Sequence, residues 1–193
     1  TTNCSASKTY TAQGVYTITL TVTDDDGGVS NTLEIIVSVY DPNGGGFVTG
    51  GGWIDSPANS YAGDLTATGK ANFGFNAKLK KGATTPEGQT EFQLHFASFN
   101  FHSTAYDVLV VSGYKAQFRG TGTVNGEAGY KFVLTGYDGQ ITGGGGTDRF
   151  RIKITKIGTG EVVYDNRRGI SEDMDNADPT AIAGGSIVVH KGK

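Results

Sequence analysis

Apolar and polar positions alternate along most of this chain, and no stretch keeps a helical stripe. Tyr16, Ile18, Leu20 and Val22 alternate with Thr17, Thr19, Thr21 and Thr23, and Leu33, Ile35, Val37 and Val39 alternate with Thr32, Glu34 and Ser38. The turn-forming run Asp24-Asp25-Asp26-Gly27-Gly28 lies between them, which predicts a β-hairpin with one apolar and one polar face. The alternation lapses at Asp41-Pro42-Asn43-Gly44-Gly45-Gly46, a linker by composition. It then resumes. Phe73, Phe75, Ala77 and Leu79 face one way against Asn72, Asn76, Lys78 and Lys80. Phe92, Leu94 and Phe96 oppose Glu91, Gln93 and His95, and Tyr130, Phe132 and Leu134 oppose Lys131 and Thr135. Phe150, Ile152 and Ile154 oppose Arg149, Arg151, Lys153 and Thr155, and Ile187-Val188-Val189-His190 makes a short closing strand.

Turn signals separate these segments: Lys81-Gly82, Asn125-Gly126, Asp138-Gly139, Gly143 to Gly146 and Gly158-Thr159-Gly160. Asn-Gly and Asp-Gly are strong hairpin signals because both residues accept positive φ. The expected fold is therefore all-β, an antiparallel sandwich or barrel of roughly nine strands after the linker. Three segments follow from this: a β-hairpin over 1–40, a linker over 41–46 and the larger domain over 47–193. Ser171 to Ala177 offers a single polar turn at best.

Composition narrows the function classes. Glycine contributes 31 of 193 residues, without the three-residue period of collagen, and the single Cys4 cannot form an intrachain disulfide. A net charge of −3 argues against a nucleic-acid surface. No apolar run approaches the roughly 18 residues of a membrane-spanning helix.

The run from Lys8 to Asp24, with Asp26-Gly27-Gly28 after it, resembles the second half of a PKD domain over residues 1 to about 40. The strand of Trp-Asp-Phe-Gly-Asp-Gly type that opens that family is absent. The resemblance implies an immunoglobulin-like β-sandwich of extracellular and cell-surface proteins, which in bacteria spaces or presents other modules. From Phe47 onward the chain resembles a post-COAP type domain of bacterial secreted proteins. Gly69-Lys70-Ala71-Asn72-Phe73-Gly74-Phe75, Gly88-Gln89-Thr90-Glu91-Phe92, Asn100-Phe101-His102-Ser103-Thr104, Phe150-Arg151-Ile152-Lys153-Ile154 and Val163-Tyr164-Asp165-Asn166 carry that likeness. It implies location and architecture but no active site.

Catalytic and nucleotide-binding patterns fail on spacing. Gly63 to Lys70 has one residue too many for a Walker loop, and Ala71 stands where Ser or Thr should hold magnesium. Gly120 to Gly126 is too long for a dinucleotide fingerprint. His95, His102 and His190 lack zinc-ligand spacing. His102 and Ser103 are neighbours on a strand and so point to opposite faces. No second carboxylate pairs up for glycoside hydrolysis, so no enzymatic activity is expected. No spacing marks a Lys–Asn crosslink.

Two binding chemistries remain. Glu172, Asp173, Asp175 and Asp178, with Asp165 upstream, bring enough oxygen ligands together to be a candidate calcium site, against the plainer reading of a solvated acidic loop. Trp53, Tyr61, Tyr106, Tyr114 and Tyr137 lie beside glycines or turns, where aromatic rings can stack on sugars, against the plainer reading of core and strand-end cover. An isolated hairpin is marginal in water, so residues 1–40 must be covered by the second domain or by another chain. The chain thus reads as a non-catalytic extracellular structural or adhesion module that self-associates through β-edges into an oligomer or filament, or binds other surface proteins, with no cofactor unless calcium. The alternative is a carbohydrate-binding module that takes a polysaccharide on its aromatics.

Overall fold

The computed structural model describes residues 5–11, 13–39 and 45–191. Cys4 and most of the expected linker lie outside these residues. The predicted hairpin forms from β1 (Gly14–Leu20) and β2 (Leu33–Val39), paired antiparallel from Gly14↔Val39 to Leu20↔Leu33.

The remaining strands form one antiparallel sheet of ten. They are β3 (Gly46–Ser56), β4 (Gly69–Leu79), β5 (Glu87–Leu94), β6 (Phe99–Ser112), β7 (Lys115–Val124), β8 (Glu127–Tyr137), β9 (Arg149–Lys156), β10 (Val162–Asp165), β11 (Thr180–Ala181) and β12 (Gly184–Lys191). β3 to β10 follow one another as a meander, β11 joins β9, and β12 returns to pair with β3. Gly46, assigned to the linker by composition, is the first residue of β3 and is buried against Val111.

The sheet curls into a half-barrel because its inner face is almost wholly apolar and must close on itself. Phe73 of β4 stacks on Phe150 of β9 with centroids 4.1 Å apart. Phe92, Phe118, Phe132, Ile152 and Ile154 fill the same interior. Gly50 leaves room there for Phe75, whose Cζ would lie 2.4 Å from an added Cβ.

Both outer edges of the curled sheet are capped, as natural sheets require. Along β10, Asp165 N–H donates to the Ser60 carbonyl and Ala62 N–H donates to the Val163 carbonyl. Along β12, Ile187 N–H donates to the Asp148 carboxylate at 2.7 Å, and Val189 N–H donates to the Asp138 carboxylate at 3.0 Å. Asp138-Gly139 therefore opens a longer loop into β9, not the tight hairpin its sequence suggests. Asn125-Gly126 does form the tight turn, with both residues at positive φ.

The alternation over 92–96 also ends early. β5 stops at Leu94, a 3-10 turn takes His95–Ala97, and Ser98 adopts φ +47°. Phe96 is consequently 40% exposed instead of joining Phe92 and Leu94 inside.

Candidate functional site

The outer face of β7, β8 and β9 is where side-chain chemistry concentrates. Alternation turns Gln117, Arg119, Thr135, Arg151 and Thr155 outward, yet all five are buried. The chain from 166 to 178 folds back over them, and Arg151 is the reason it stays there. Arg151 Nε donates to Asp165 Oδ1 at 3.1 Å and Nη2 donates to Asp165 Oδ2 at 3.0 Å. Its remaining donors reach the carbonyls of Ile170, Ser171 and Ala177. Asn166 adds a second clasp: its Oδ1 accepts from Ile152 N–H, and its Nδ2 donates to the Phe150 carbonyl. Burial of a charged pair is offset only where every donor finds an acceptor, and the Arg151–Asp165 pair meets that condition.

The five calcium candidates each have separate surroundings. Asp165 holds Arg151, Glu172 holds Lys153 with Arg119 3.9 Å away, Asp175 accepts from Lys115 Nζ at 2.8 Å, and Asp178 holds Arg167. Asp173 is half-buried, and its N–H donates to Ser171 Oγ. Among the described residues, no three His, Cys, Asp or Glu side chains group as metal ligands would. Burial raises the Glu172 pKa, but Lys153, Arg119 and Arg151 outweigh it and hold the carboxyl below its usual range. At Lys115, burial lowers the pKa, but the bond to Asp175 outweighs it and the ammonium stays above its usual range.

The aromatic candidates are dispersed. Tyr106 is in the core, its hydroxyl donating to the Asn76 carbonyl and paired with Thr90 Oγ1 at 2.6 Å. Tyr137 is also buried and donates to the Met174 carbonyl, with Tyr114 edge-on to it at 5.3 Å. Tyr61 packs edge-on against Phe99. Trp53 is half-buried on the outer face of β3, with the Lys70 ammonium 4.7 Å above its ring. The five therefore form no single platform.

The hairpin sits on the outer surface of β6. Val15 is fully buried with Val110 and Met174. Ser38 and Thr19, on the same face as Val15, line clefts against the half-barrel. The opposite face carries Ile18, Leu20, Leu33, Ile35 and Val37, and Leu20 and Leu33 are 51% and 54% exposed. The more apolar face thus points to solvent.

Sequence reading missed the basic group on this surface. Register places Arg119, Val133 and Lys153 in one row across β7, β8 and β9, with Lys131 opposite Thr155 in the next. Each residue reads as an ordinary polar strand position, and only the pairing of three strands gathers them.

The PKD domain family model matches residues 1–39. No curated protein and no solved structure matches the chain. The likeness of residues 47–193 to the post-COAP type has no support from these comparisons. PKD domains are typically extracellular and non-catalytic. Among the described residues, no helix is long and apolar enough to cross a membrane.

Proposed function

We propose that this chain is a non-catalytic extracellular structural or adhesion module of a bacterial secreted or surface protein, and that it self-associates through the β1–β2 hairpin. The supporting observation is the outward aliphatic face: Leu20, Leu33 and Ile35 are 51%, 54% and 46% exposed on one short sheet. Contiguous apolar patches of a few hundred Å2 mark interaction surfaces in soluble proteins. The half-barrel edges are capped, while β1 and β2 pair only with each other among the described residues. Strand addition is therefore open to the hairpin and closed to the half-barrel. Sedimentation velocity over a wide concentration range tests this. The wild type should associate as concentration rises, and Ile35→Lys should remain monomeric. A wild type that stays monomeric throughout would refute the reading.

A second reading, carbohydrate binding, has support at Trp53. Gly184 leaves room for the indole, since an added Cβ would lie 2.5 Å from Nε1. Beside Trp53, the cross-strand pair Gly51↔Gly74 has open space above it on the same face. Sugar binding to insoluble polysaccharide that is lost in Trp53→Ala would favour this reading over the first.

A further inference from the structure

Two glycines on the outer face of the sheet are required neither by packing nor by backbone conformation. Gly51 of β3 and Gly74 of β4 are paired directly, neither has positive φ, and nothing lies within 4 Å of a Cβ added to either. The neighbouring glycines of β3 differ, since Gly50 makes room for Phe75 and Gly52 for the Gly184 carbonyl. Glycine inside a strand weakens the sheet, and where nothing local demands it, it marks a place where a ligand comes close to the backbone.

Strand register extends this pair into a furrow that crosses the strands. Its floor is Ser186, Gly51 and Gly74, with Trp53 and Asn72 along one bank and Thr49 and Asn76 along the other. Past Gly74 the same row reaches Glu91 of β5 and His102 of β6, which lie 3.5 Å apart. These two also line a cleft of about 500 Å3 with Gln93, Asn100, Thr123 and Asn125. That volume falls within the roughly 300–1,000 Å3 typical of small-molecule sites. Among the described residues, the side-chain amides of Asn76, Gln93 and Asn100 have no partner within the protein, so their donors and acceptors are open to a ligand's hydroxyls.

We propose that this path holds an extended, neutral glycan, with successive rings over β3, β4, β5 and β6 and its end at Glu91, Gln93 and Asn100. A β-1,4-linked hexose chain advances by about 5 Å per unit, close to the roughly 4.8 Å between neighbouring strands, so one ring falls on each strand. Amides and hydroxyls along the path pair with sugar hydroxyls, and the Glu91 carboxylate accepts from them. The inference rests on the carbohydrate reading of Trp53 and extends it from one aromatic residue to a chain of several units. It uses no residue of the hairpin or of the folded-back segment.

Calorimetric titration of the full chain with β-1,4-linked glucose oligomers of increasing length provides the test. Affinity should rise from glucose to the tetramer and then level off. Gln93→Ala should weaken tetramer binding about threefold to tenfold, as expected for loss of one hydrogen-bonding group. Gly51→Val, which fills the furrow, should weaken it at least as much, with an unchanged melt showing that the fold is intact. Lys131→Glu, on β8, should leave binding unchanged. Tetramer binding that is lost in Trp53→Ala but indifferent to Gly51→Val and Gln93→Ala would overturn the furrow and leave the carbohydrate reading standing. Affinity already maximal with glucose would do the same. Equal affinity for the curved α-1,4-linked tetramer would overturn the extended chain. Failure of every oligomer to bind would overturn the furrow, and failure on insoluble polysaccharide as well would remove the carbohydrate reading with it.

Discussion

Arg151 and Asp165 form a two-point ion pair on the outer side of β9, each side chain only 3% exposed. The pair makes a covered surface out of the polar face of a strand. Around it, chain 166–178 acquires a fixed path, and that path sets where Glu172, Met174 and Asp175 stand.

Removal of one partner leaves the other charge buried alone. Arg151→Met and Asp165→Asn should each lower unfolding free energy by about 3–5 kcal/mol. Urea denaturation measures this, and the double variant should lose much less than the sum of the singles because no orphan charge remains. Amides of 166–178 should exchange faster in both single variants.

Asp138 and Asp148 take the outward N–H groups of β12. Asp148→Ala leaves the Ile187 amide without its acceptor and should cost about 1–3 kcal/mol. Hydrogen exchange at Ile187 should accelerate more than at residues of β7. Unchanged protection would show that the seam is held by other contacts.

The Glu172 pKa is lowered in the folded state. Its contribution to stability is therefore present above the usual glutamate pKa and is lost as pH falls through the lowered value. Glu172→Gln should flatten the acid limb of the stability profile. At the alkaline end, burial pushes the Tyr106 pKa up to about 12, and Tyr137 and Tyr164 are raised by burial as well. A raised pKa gives stability that is full below the unfolded value near 10 and is lost as pH rises toward the folded one. Stability should thus fall steeply above about pH 10, and Tyr106→Phe should soften that fall.

The glycines of β3 divide by what lies above them. An added Cβ on Gly52 would meet the Gly184 carbonyl oxygen at 2.1 Å, so Gly52→Ala should destabilise the β3–β12 pair. Gly51 has open space above it and no positive φ, so Gly51→Ala should be neutral or stabilising by about 0.5–1 kcal/mol. Thermal melts of the two variants should move in opposite directions or differ clearly in size.

The strands and the tight turn at Asn125-Gly126 were legible in the sequence because period-2 alternation and positive-φ tolerance are local properties. Phe96 misled, since its strand ends two residues earlier at a backbone turn that alternation does not encode. The acidic residues 165, 172, 173, 175 and 178 were visible as a cluster, but the basic partners of Asp165, Glu172 and Asp175 come from β7 and β9. Likewise, Arg119, Lys131 and Lys153 are far apart in sequence and meet only through strand register.

The sequence by itself thus determined an antiparallel all-β chain with a hairpin of β1 and β2 and a strand-rich body after it. Tertiary structure alone decided that the sheet curls so that Phe73 meets Phe150, that the polar face of β9 is covered, and that the hairpin turns its aliphatic face outward. The physical reason is range. Alternation fixes which side chains share a face, but which face is buried depends on long-range partners such as Asp165 for Arg151 and Met174 for Val15.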